Sequence, residues 1–129
     1  MNTRPPERFD IQFDNWYAVL SNALFLSPSS AYVELDGDDV LVRMGWAFQA
    51  RFPRSSIAVV AKDHSSPLSR GVHGFAGRWL VNGSAQGLVR IDLRPGQHGH
   101  VLGFPVRLQR LVVSVTQPAA LAAALKASP

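Results

Sequence analysis

Apolar and polar residues alternate along much of this chain with a period of two, the spacing that puts every second side chain on one face of a strand. Phe9, Ile11 and Phe13 alternate with Asp10 and Gln12. Ala31, Val33 and Leu35 alternate with Tyr32, Glu34 and Asp36, and Val40, Val42 and Met44 with Leu41 and Arg43. Between the last two runs, Asp36-Gly37-Asp38-Asp39 supplies a glycine and short acidic side chains, so 31–44 is predicted to be a hairpin. After Gly45 the run 46–52 puts Trp46, Phe48, Ala50 and Phe52 on one face. The apolar run 57–61 reads as a buried strand, and further strands are predicted at 78–81, 88–93 and 106–115, the last with Pro105 at its start. Gly-, Ser- and Pro-rich stretches at 63–77, 82–87 and 94–100 read as loops.

Two segments break this period. Trp16, Val19, Leu20 and Ala23 recur at helical spacing after Asn15, a good N-cap, and Pro28 ends the run. Near the C-terminus Pro118 suits a first helical position, and Leu121 and Leu125 make a narrow stripe among alanines. The expected fold is therefore mainly β with flanking helices. After a first strand at 9–13, about six or seven further strands follow one another through short turns, which predicts an antiparallel, strongly bent sheet or partly open barrel. A short helix precedes it, and a C-terminal helix caps it by burying the leucine stripe.

Length and composition narrow this reading. At 129 residues one domain is expected, with residues 1–8 (Pro5 and Pro6 among them) as a flexible arm and 9–129 as a single β-rich domain. An apolar share of 47% offsets the entropy of ordering and excludes a disordered chain. The absence of Cys excludes disulfide frameworks, zinc–thiolate sites and cysteine nucleophiles. No apolar run reaches the ~20 residues of a membrane span, and MNTRPPERFD lacks the apolar core of a signal peptide, so the cytoplasm is the expected location.

The net charge of +4 is unevenly placed. Residues 1–63 carry −2, residues 64–110 carry +5 with Asp92 as their one acid, and residues 111–129 carry +1. Eleven of the 13 basic residues are Arg, whose planar guanidinium suits carboxylate and phosphate partners.

Three stretches resemble the bacterial pleckstrin-homology-like proteins and a group of uncharacterised actinobacterial proteins: ELDGDDVLVRMGW, ARFPRSSIAVV and GFPVRLQRLVVSVTQPAALAAAL. The first is similar to that family's strand, acidic turn and strand ending in Arg and Gly. The second resembles its Pro and small polar residues leading into an Ile, and the third its final strand running into a helix that begins at Pro. The resemblance implies a seven-stranded bent sheet closed at one end by the C-terminal helix, used as a binding scaffold without catalytic residues. Two positions depart from the pattern. Gln117 stands where the family usually has Asp before the helical Pro, and the hairpin turn 36–39 carries three carboxylates. Those carboxylates repel an inositol phosphate, so lipid head-group binding there is not carried over.

Other chemistry is weighed residue by residue. Gly71, Gly74 and Gly77, flanked by Arg70 and Arg78, suggest bared backbone N–H groups for an anion. The spacing GxxGxxG lacks a following Lys-Ser/Thr and leads into a strand, so a bulged or flexible loop is the plainer reading. His98 and His100, two apart, could share a metal with His73 or Asp92, but solvated loop histidines explain them as well, and no metal or cofactor is expected. No serine sits in GxSxG, so no enzymatic activity is expected. Asn82-Gly83-Ser84 matches a glycosylation sequon and reads as turn chemistry. Arg78, Arg90, Arg94, Arg107 and Arg110 beside Trp79 and Phe104 could hold single-stranded nucleic acid, although Trp79 before Leu80-Val81 fits a core position better. Trp16, Trp46, Phe48 and Phe52 are read as core.

The sequence thus points to a non-enzymatic domain that binds a protein partner or an anionic ligand, with Arg70, His73, Arg78, Arg90, Arg94 and Arg107 as contact residues. A small-molecule barrel with weak hydrolysis through His73 and a single-stranded nucleic-acid binder are the alternatives. Association of identical copies stays open.

Overall fold

A computed structural model describes residues 7–12, 14, 31–63, 71–82, 84 and 86–126. The predicted hairpin forms β2 (Ala31–Asp36) and β3 (Asp39–Met44), paired antiparallel from Ala31 with Met44 to Asp36 with Asp39. Its alternation is realised: Val33, Leu35, Val40 and Val42 are buried while Glu34 and Arg43 face outward. β1 (Glu7–Asp10) lies on the outer side of β2, and β4 (Phe48–Pro53) on the outer side of β3. A 3-10 turn at Arg54–Ser56 leads into β5 (Ile57–Lys62). Then come β6 (Gly71–Phe75), β7 (Arg78–Asn82), β8 (Leu88–Val101), β9 (Phe104–Ser114) and the helix α1 (Pro118–Lys126).

These nine strands, among the described residues, make one sheet: eight in the order β1-β2-β3-β4-β8-β9-β7-β6, with β5 off this path and paired to β8. β8 is long enough to serve two neighbours. Its second half pairs with β4 and its first half with β5, so the chain turns a corner and the sheet curls into a half-barrel. The concave side holds one contiguous core that includes Phe48, Phe52, Ile91, Leu108 and Leu111. Each such buried side chain stabilises by ~1.5–3 kcal/mol. The leucine stripe of α1 joins this core: Leu121 and Leu125 are buried against β5 and β8. Arg54 Nη1 donates to the Ala124 carbonyl at 3.0 Å, occupying one of the last-turn acceptors. No helix among the described residues is long and apolar enough to cross a membrane.

Several expectations are corrected. The segment 94–100, read as a loop, lies inside β8. The stretch 63–77 contains β6, which pairs with β7 through the two-residue turn Ala76-Gly77, both at positive φ. The described strands number nine, eight of them after β1 where six or seven were expected, and the sheet is not wholly antiparallel, because β9 inserts between β7 and β8 and runs parallel to β7. Residues 7 and 8, placed in the N-terminal arm, belong to β1; the rest of that arm and the N-terminal helix over Trp16–Ala23 lie outside the described residues.

Trp46 is not core. Met44 pairs with Phe48, so Gly45-Trp46-Ala47 form a loop beyond the end of the sheet, and Trp46 is 53% exposed. The apolar run of β5 is not a buried strand either. A bulge at Ala58 re-aims the chain, Val60 alone is buried, and Val59 is 41% exposed.

Candidate functional site

Three strand irregularities meet at one place on the surface. On β8, Asp92 pairs with Arg110 and Gln97 with Leu108, so Leu93-Arg94-Pro95-Gly96 stand opposite Gln109 alone. On β9, the N–H groups of both Gln109 and Arg110 donate to the Gly77 carbonyl, at 2.7 and 3.1 Å. On β5, Ala58 is skipped between the pairs Ile57–Leu93 and Val59–Asp92. Bulges turn side chains away from the regular alternation, and these enclose a cleft of about 350 Å³ lined by Ala58, Arg78, Asp92, Leu93, Arg94, Gly96, Gln109 and Arg110. That volume lies at the small end of the range for ligand clefts.

Register explains the charges in it. Arg78 on β7 is paired with Arg110 on β9, and Arg110 with Asp92 on β8, so the three lie in one row across the sheet. Arg110 Nε donates to Asp92 Oδ1 at 2.8 Å, and Arg90 Nε lies 3.5 Å from Asp92 Oδ2. A single carboxylate, 22% exposed, thus faces two guanidinium groups. Arg78 and Arg94 are exposed, and their guanidinium groups make no hydrogen bond or ion pair among the described residues. The lining carries three positive charges and one negative one, with Arg90 adding a further positive charge beside it. Coulomb attraction there favours an anion, most strongly at low salt.

Of the residues singled out by sequence, Arg78 and Arg94 line the cleft, and Arg90 stands at its edge through Asp92. Arg107, paired with His98, is exposed outside it. His73 lies on β6 opposite Leu80, while Arg70 is outside the described residues. Arg110, named above only for the nucleic-acid reading, and Gln109, not singled out at all, complete the cleft. The sequence signal for Arg110 was weak, because regular alternation from buried Leu108 would turn it toward the core; the irregularity at Gln109 shifts the parity, so Leu111 is buried instead.

The glycine-rich stretch is a hairpin rather than a phosphate loop, with Gly71 to Phe75 paired to Asn82 to Arg78. Trp79 packs partly buried against the core, with Nε1 donating to the Arg107 carbonyl at 3.0 Å, so its face is not presented as a stacking platform. His98 and His100 share a shallow groove with Tyr32, Arg43, Gln49 and Arg51. No group of three His, Cys, Asp or Glu among the described residues could hold a metal ion. Asn82 and Ser84 of the sequon are buried, with Asn82 Nδ2 donating to the Ser84 carbonyl at 3.0 Å.

A larger groove of about 980 Å³ runs between the β4–β5 corner and the end of α1. Its guanidinium, Arg54, holds the helix end, and the rest of its lining is largely apolar. Comparisons with protein-family models, characterised proteins and solved structures find no match to this chain.

Proposed function

We propose that the chain is a non-enzymatic binding domain that holds a phosphate- or carboxylate-bearing group in the cleft between β7, β8 and β9. The observation that carries this reading is the convergence of Arg78, Arg94 and Arg110 on one cleft, where the single carboxylate is already engaged by guanidinium groups. Guanidinium groups bind such anions in a planar, two-pronged geometry, and here Arg110 contacts Asp92 through Nε, which leaves its two Nη groups for a ligand. Gln109 adds a neutral amide donor. The one carboxylate of the lining, Asp92, is held by Arg110, which favours binding over bond-making.

The scaffold of this reading is the curled sheet with its C-terminal helix, the part of the pleckstrin-homology-like resemblance that the fold is compatible with. The parallel β7–β9 pair departs from the seven-stranded pattern which that resemblance implies. In this reading the acidic turn 36–39 is not the binding loop, and the basic later strands are.

The test is a calorimetric titration with inorganic pyrophosphate at low and at moderate salt. Wild-type protein is expected to bind, more weakly as salt rises. Arg78→Gln combined with Arg94→Gln should reduce the affinity at least tenfold with an unchanged far-UV spectrum. Equal affinity in the variant refutes the site.

A further inference from the structure

At one end of the sheet two hairpins close side by side. The β3–β4 loop Gly45-Trp46-Ala47 and the β8–β9 turn Leu102-Gly103 are joined by the Leu102 N–H, which donates to the Ala47 carbonyl at 3.0 Å. Three large apolar side chains stand out there: Trp46 is 53% exposed, Leu102 56% and Phe104 72%. Single exposed apolar residues are ordinary on a surface, but a cluster at adjoining tips is not.

Leu102 is informative in a second way. It occupies the first central position of a two-residue turn at φ 51, followed by Gly103 at φ 82. That conformation favours Gly, Asn or Asp, and a leucine there is strained. Neither backbone preference nor burial accounts for this side chain.

The charge near the tips is mainly positive; the one carboxylate that register brings into the row behind them, Asp10 opposite Tyr32, is paired with Arg8 at 3.8 Å. No acidic residue occurs in the sequence between Asp39 and Asp63, or after Asp92, so the two hairpins carry carboxylates only at Asp39 and Asp92, both far along the strands from the tips. Register places Arg43, Gln49, His100 and Pro105 in one row behind the tips, with His98 and Arg107 in the β8–β9 pair beyond it. Arg43 also reaches the loop through Nε, 3.4 Å from the Gly45 carbonyl.

We infer that this end of the molecule is a docking surface for an anionic lipid bilayer. Trp46, Leu102 and Phe104 enter the interface, while Arg43, Arg107 and His100 sit at head-group level. Apolar tips that project from the sheet suit a yielding surface, aromatic rings favour the bilayer interface, and each arginine near an anionic surface strengthens binding about fivefold. This surface is separate from the cleft at Arg78, Arg94 and Arg110, and either can fail without the other.

The experiment is co-sedimentation of the full chain with phosphatidylcholine vesicles, with and without about 30% phosphatidylglycerol. Wild-type protein is expected to pellet with the anionic vesicles and not with the neutral ones. Leu102→Asn with Phe104→Thr, choices suited to a turn and a strand, should lower partitioning at least tenfold. Arg43→Gln with Arg107→Gln should lower it about thirtyfold. Circular dichroism and thermal melts establish that both variants are folded. Wild-type protein that ignores anionic vesicles, or a folded tip variant that binds as wild type does, overturns the inference. So does binding of poly-glutamate, but not of vesicles, through the same tip residues, which would indicate an acidic protein partner.

Discussion

Replacing Asp92 by Asn should weaken the fold slightly and strengthen anion binding. The carboxylate accepts from Arg110 at 2.8 Å and faces Arg90 at 3.5 Å, with side-chain exposures of 22% for Asp92, 37% for Arg110 and 32% for Arg90. A charge-assisted hydrogen bond at that exposure, screened by solvent, contributes about 1 kcal/mol. For a domain of this length its loss corresponds to a Tm lower by about 3–5 °C. The effect on binding has the opposite sign. For an anion placed about 5–6 Å from the carboxylate, the repulsion is about 1–3 kcal/mol for effective dielectric constants between those of water and a protein surface. Removing it raises affinity about 5- to 150-fold at low salt and less at higher salt. Differential scanning fluorimetry and calorimetric titration with pyrophosphate at two salt concentrations read both signs. An Asp92→Asn protein with unchanged or weaker affinity would refute the electrostatic account of the cleft. So would an affinity gain that persists undiminished when Arg78 and Arg94 are glutamine.

Other substitutions probe the scaffold and the tips. Gly74→Ala on β6 would place a methyl group inside the volume of the Trp79 ring and against the Arg78 carbonyl. It should cost about 1–3 kcal/mol of stability in chemical denaturation, as overpacking does. Leu121→Ala opens a cavity where α1 meets the sheet, at a side chain with 0% exposure, and should cost about 2–5 kcal/mol by the same measurement. Leu102→Asn relieves the positive-φ strain at the β8–β9 turn and should raise stability by about 1 kcal/mol while lowering vesicle binding. A protein that loses both stability and vesicle binding would show that Leu102 supports the fold rather than a docking surface.

What was legible in the sequence was what depends on local alternation. The hairpin 31–44 announces itself because period-two burial and a Gly-containing turn agree, and the two strands pair there along their whole length, with Asp36 and Asp39 as the last pair. The last helix was legible for a similar reason: Pro118 at its start and two leucines one turn apart specify both its beginning and its buried face. The cleft was not legible, because it arises where alternation fails. Arg94-Pro95-Gly96 carry every loop signal, and they sit within a strand whose bulge leaves them without regular partners. The parallel pairing of β7 with β9 depends on a strand that arrives twenty residues later, and nothing local encodes it. Trp46 shows the complementary limit: its alternation was correct, but the sheet ended before reaching it.

The claim that binding resides in the bulge cleft is tested most directly by side-chain NMR of the arginine Nε–Hε groups during titration with inorganic pyrophosphate. The predicted result is a saturable shift of Arg78, Arg94 and Arg110, with Arg51, held by Asp39 at 2.9 Å, and Arg107 unmoved. Uniform, non-saturating shifts across all arginines, or shifts confined to residues outside the cleft, would contradict it.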